Sequence, residues 1–202
     1  MLGKWLSFAL APLLVISLLP QITHAAVLWQ DNFDEYYDGM PLEDSPDWEK
    51  ISDYEYGFYV TNQSGGDMWL GGNFGRYRAS GGASDPEMKV SAGEVYLGDY
   101  IDFSCLAVIT RMADDGHSGY IAFYNSDGGV EYWVDIFEWV GSVYHRLGTM
   151  TIPGPISTMS IIASGQNPVH IVAKFDDYIL AVADYIYNLT GSYGGISTNC
   201  CE

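Results

Sequence analysis

The chain has 202 residues, with 26 acidic against 8 basic side chains and a formal net charge of −18. Such a surface repels phosphate backbones and anionic lipid, which excludes ordinary nucleic-acid binding and disfavours polyanionic glycans. Sixteen Tyr and 23 Gly with few Lys suit strands and tight turns rather than helices.

The first 25 residues read as a secretory signal peptide. Lys4 supplies the positive start, Trp5 to Leu19 is almost wholly apolar, and Pro20 precedes the small-residue site Thr23-His24-Ala25. The apolar run is too short for a membrane span. Cleavage after Ala25 leaves residues 26–202 as one domain, secreted or at the cell surface, with no span elsewhere. Export permits disulfides. Cys105 lies in an apolar strand pattern and reads as a buried thiol, while Cys200 and Cys201 are adjacent near the end.

Beyond residue 26, helical periodicity gives way to short apolar or alternating runs between Gly, Asp, Asn and Pro. Strands are predicted at Val27–Phe33, Trp48–Ile51, Phe58–Thr61, Met68–Leu70 and Arg76–Ala79. They continue at Phe103–Met112, Gly119–Tyr124, Val130–Val140, Val143–Thr151, Met159–Ala163, Val169–Phe175 and Tyr178–Val182. Asp176-Asp177 marks a tight hairpin. This spacing predicts an all-β sandwich or barrel. A closing strand is poorly marked: either Ser192–Thr198 serves or the product is truncated. Ala107, Ile109, Val134, Ile136, Ile171, Ala173 and Leu180 are predicted core residues.

Period two sorts the strand after residue 130 into two faces. Tyr132, Val134 and Ile136 share one face, which reads as core. Glu131, Trp133, Asp135 and Phe137 share the other. That second face mixes rings with carboxylates, as a sugar-binding surface requires: a flat ring for sugar C–H groups and acceptors for hydroxyls. Burial of the same rings in a core is the competing interpretation.

Three stretches carry a family likeness. They are Asp31-Asn32-Phe33-Asp34 with Tyr37 to Pro41 and Trp48; Thr110-Arg111-Met112-Ala113-Asp114-Asp115-Gly116 with Gly119-Tyr120; and Val169 to Leu180 with Asp184. In order and spacing the chain resembles the concanavalin A-like lectin/glucanase superfamily, in its LamG-like branch. The resemblance implies a two-sheet antiparallel jelly-roll sandwich of about 14 strands. It places Arg111 and Tyr120 on or near the concave sheet, which adds them to Glu131, Trp133 and Asp135 as carbohydrate-binding candidates. It also implies a structural calcium at Asp31, Asp34 and Asp184. Trp133 to Glu138 resembles the E-x-D-x-x-E motif of family 16 glucanases. Trp133 stands where that motif has its nucleophile, so Asp135 and Glu138 would be an assistant and an acid alone.

The expected function is therefore lectin-like or adhesive binding of a polysaccharide, without catalysis. The rivals are a glycan hydrolase or lyase of the same superfamily, and a structural surface protein that uses the sandwich for chain–chain contacts. Fold alone does not choose among them.

Overall fold

The computed structural model describes residues 31, 33, 35–51, 58–61, 69–72, 76–79, 87–93 and 103–197. The expected signal peptide, most of the expected first strand, Asp34, Cys200 and Cys201 lie outside the described residues. Thirteen strands are described: β1 (Trp48–Lys50), β2 (Phe58–Thr61), β3 (Trp69–Gly72), β4 (Arg76–Ala79), β5 (Glu87–Gly93), β6 (Phe103–Met112) and β7 (Ser118–Asp127). β8 (Tyr132–Val140), β9 (Val143–Ile152), β10 (Thr158–Ser164), β11 (Val169–Phe175), β12 (Tyr178–Asp184) and β13 (Tyr193–Ser197) follow.

Two antiparallel sheets form a β-sandwich. The larger has the order β1-β4-β13-β6-β7-β8-β9 and the smaller β12-β11-β10-β5; β2 and β3 form a separate hairpin pair. The closing strand is β13, which slots between β4 and β6. β5 was not anticipated. Its sequence is short of the β-branched and aromatic residues that mark strands, yet it pairs with β10 along its whole length.

The core between the sheets follows from alternation. Val108, Tyr120, Ala122, Tyr124, Val134 and Ile136 of the large sheet meet Met159, Ile161, Ala163, Ile171, Ala173 and Phe175 of the small one. Fully burying one such Ile or Phe stabilises the fold by about 1.5–3 kcal/mol. The opposite side chains of β6, β7 and β8 are also buried: Ala107, Ile109, Ile121, Phe123, Phe137 and Trp139 form a second cluster on the outer face. These strands are covered on both faces, which is why their sequences read as nearly continuous apolar runs. Of the seven predicted core residues, six are buried, and Leu180 is partly so.

Gly119 makes the second cluster possible. A Cβ there would lie 2.5 Å from the ring of Trp139 in the next strand, and that ring is wholly buried. Gly119→Ala is therefore expected to lower stability by about 1–3 kcal/mol through overpacking. Gly154→Ala, where an added Cβ meets nothing within 4 Å, serves as the control. Urea denaturation of both variants checks this; equal midpoints would show that Trp139 yields freely.

Candidate functional site

The β8–β9 pairing contains a bulge. Ile136 pairs with Gly148 but Phe137 pairs with Arg146, so Leu147 is the extra residue. A bulge re-aims the side chains beyond it. Without it, Arg146 would share the inward parity of Gly148. With it, Arg146 joins Trp133, Asp135 and Phe137 on the outer face, and His145 turns towards Glu138. Period-two reading of the sequence does not detect an inserted residue, so Arg146 was missed.

The outer face of β8 and β9 is then a mixed surface. Trp133 is partly exposed, and its cross-strand neighbour Thr151 is exposed. Asp135 has Thr149 opposite on β9, also exposed. Asp135 itself is buried, with 5% exposure. Its Oδ2 accepts a hydrogen bond from Asn125 Nδ2 at 3.1 Å, and the same amide nitrogen also donates to the Trp133 carbonyl at 3.4 Å. Its Oδ1 has no hydrogen-bond donor among the described residues, and Arg146 Nε stands 3.7 Å away. The Arg146 guanidinium sits 5.6 Å from the centre of the Phe137 ring, a cation–π contact. Phe137 in turn meets Phe123 and Tyr144 edge-on. Glu131 precedes the strand in an exposed turn, where its backbone N–H donates to Asp127.

Arg111 and Tyr120 belong elsewhere. Tyr120 points between the sheets, and its hydroxyl donates to Asp184 Oδ2 at 2.6 Å. That hydroxyl also accepts from the Leu189 N–H at 2.9 Å, while Arg111 donates to the Leu189 carbonyl at 3.1 Å. Asp114, in the turn that follows Arg111, is held by Arg78. The sequence reading grouped Arg111 and Tyr120 with Trp133. The structure puts Tyr120 on the opposite face of the sheet from Trp133, because their strand positions differ in parity across the β7–β8 register.

Asp184 anchors this second cluster. Its oxygens also accept from the backbone N–H groups of Ile186, Tyr187 and Asn188, at 2.7, 3.2 and 2.7 Å. Burial would raise its pKa, but the Tyr120 hydroxyl and those N–H groups together hold it below the ordinary carboxylate range. Glu138 faces it from β8 with 1% exposure. Burial first, then the charge of Asp184, raise the Glu138 pKa against a lowering contact from His145 Nδ1 at 3.2 Å. Burial and the bond to Asp184 also push the Tyr120 hydroxyl far above its ordinary value.

The remaining candidates do not converge. Asp31 accepts from Phe33 N–H, Tyr36 hydroxyl and Trp48 Nε1 at 2.7, 2.8 and 2.6 Å. Trp48 lies in β1 and Tyr120, the partner of Asp184, in β7, with three strands between them. Both carboxylates thus face N–H and O–H donors in separate parts of the sandwich, an arrangement that does not fit one calcium ion shared by Asp31 and Asp184. No group of three or more His, Cys, Asp or Glu able to hold a metal occurs among the described residues. Asp135 and Glu138 lie on opposite faces of β8, so they do not form the two-carboxyl arrangement of a glucanase motif.

No known protein family and no curated protein matches the chain by sequence. Among solved structures it is similar to the carbohydrate binding module CBM66 from Bacillus subtilis, at 12% identity and a TM-score of 0.51. That alignment covers 81% of this chain and 91% of the module, and what the two share is the β-sandwich fold.

Proposed function

We propose that this chain is a secreted carbohydrate-binding module of the concanavalin A-like jelly-roll superfamily, acting by adhesion and without turnover. Its glycan site is the outer face of β8 and β9 around Trp133. One observation carries the reading: a partly exposed Trp133 shares the outer face of the sheet with the exposed Thr149 and Thr151 and with a buried Asp135 oxygen that has no hydrogen-bond donor among the described residues. A ring to stack on and unmet polar groups beside it are what a sugar needs. The similarity to a structure described as a carbohydrate binding module supports it at the level of fold.

The test is binding of the mature protein to neutral and acidic polysaccharides by affinity electrophoresis, with the Trp133→Ala variant alongside. Saturable binding without release of reducing sugar is expected, weakened about tenfold or more in the variant through loss of the stacking surface. A chelator should leave it unchanged, since Asp31 and Asp184 already accept from protein donors. Release of reducing sugar would sink the non-catalytic reading.

A structural surface protein is the second reading. The loop after β12 favours it, because Tyr185 and Ile186 are each 71% exposed. Self-association together with no glycan binding would decide for it.

A further inference from the structure

We propose that Asp135 and Arg146 together read adjacent hydroxyls of a neutral sugar ring, so that the Trp133 face takes neutral glycans and rejects uronates. The inference rests on the carbohydrate reading above and names its ligand class.

The geometry leaves a gap of a defined kind. Asp135 Oδ1 is a buried acceptor without a donor among the described residues. The nearest cationic group is Arg146 Nε, whose 3.7 Å separation is too long for a hydrogen bond. The Asp135 side chain is 7% exposed and that of Arg146 59%, so the arginine is the movable member over a fixed acid. Asn125 holds the other carboxylate oxygen and keeps the acid in place.

A hydroxyl is both donor and acceptor. Entering as Arg146 swings aside, it donates to Asp135 Oδ1 while accepting from the guanidinium. Both partners are then satisfied, and the charge balance between them is untouched. A second hydroxyl on the neighbouring ring carbon is within the remit of the other guanidinium N–H groups or the Thr149 hydroxyl, which lies opposite Asp135 on the same face. A uronate behaves differently. Its carboxylate only accepts, so it offers nothing to Oδ1. It also draws Arg146 away and leaves Asp135 as a buried anion without its cation. The formal charge of −18 opposes it further.

Isothermal titration measures wild type, Asp135→Asn and Trp133→Ala against a neutral polysaccharide, its O-methylated derivative and a polyuronate. Circular dichroism and urea midpoints establish that each variant is folded. The expected result is binding of the neutral polymer alone, about 30-fold weaker in Asp135→Asn and in the O-methylated ligand. The methylated ligand is read on wild-type protein, so the test survives a variant that fails to fold. Wild-type binding of neutral and methylated polymer alike, or full affinity in a folded Asp135→Asn while Trp133→Ala loses it, overturns the hydroxyl-reading pair and leaves the carbohydrate reading standing. Preference for the polyuronate overturns the neutral class. Failure of wild type to bind any polysaccharide takes down the carbohydrate reading itself, and this inference with it.

Discussion

Asp184→Ala is expected to lower the free energy of unfolding by about 3–5 kcal/mol, a large part of the total for a domain of this kind. The carboxylate is 1% exposed and accepts four hydrogen bonds, one from the buried Tyr120 hydroxyl and three from consecutive backbone N–H groups of the loop after β12. Its removal leaves those donors unmet. A buried donor without a partner costs about 1–3 kcal/mol, while water can reach part of the exposed loop and lessen its share. Tyr120 then loses its acceptor and keeps only the Leu189 N–H, so the contact that ties β12 to β7 across the sandwich fails. Tyr120→Phe, which removes one hydroxyl and keeps the ring, should cost less than half as much. Urea unfolding gives the energies, and amide exchange at residues 186–189 reports the loop. A loss below about 1 kcal/mol in Asp184→Ala would mean that the loop does not depend on this anchor.

Such an anchor was out of reach of the sequence reading for a physical reason. Asp184 and Tyr120 are 64 positions apart, and they meet because two different sheets face one another. Alternation within a strand was legible: Tyr132, Val134 and Ile136 do face the core, and Trp133, Asp135 and Phe137 do face away. Which strand lies beside which was not. Tyr120 is therefore grouped by likeness with Trp133, whose side chain lies on the other face of the sheet. β5 escaped because Ser91, Ala92 and Gly93 carry little strand preference, although Val90 and Ala92 pack against the core. The bulge at Leu147 left no mark either. One extra residue changes the parity of everything beyond it, and it decided that Arg146, not Leu147, reaches Phe137.

The two faces of β8 thus divide the labour. Outward, a carboxylate whose Oδ1 has no hydrogen-bond donor among the described residues sits beside an exposed arginine, which suits a ligand. Inward, the buried Glu138 faces the carboxylate of Asp184, an arrangement that loses stability as Glu138 gives up its proton.

That inward pair sets the last expectation: Glu138→Gln should match wild type near pH ~4, at or below the ordinary glutamate value, and become the more stable of the two as pH rises towards about 8. Burial and the neighbouring Asp184 raise the Glu138 pKa above its unfolded value. A group raised in this way contributes stability that is fully present below its unfolded pKa and is lost as pH climbs through the folded one. Asp184 is shifted the other way, so its contribution is present above its unfolded pKa and fails only as pH falls through the folded value. Wild type should therefore lose stability through Glu138 as pH rises above the ordinary glutamate range, and through Asp184 as pH falls below the ordinary aspartate range. Glutamine mimics the protonated acid at every pH. Its amide N–H donates to Asp184, and its carbonyl takes the place of the oxygen beside His145 Nδ1. Urea midpoints of wild type and variant across this range are the measurement, repeated in a His145→Gln background so that the slope belongs to Glu138. Parallel pH profiles for the two proteins would show that Glu138 does not lose its proton in this window, and the raised pKa would then have no consequence for stability there.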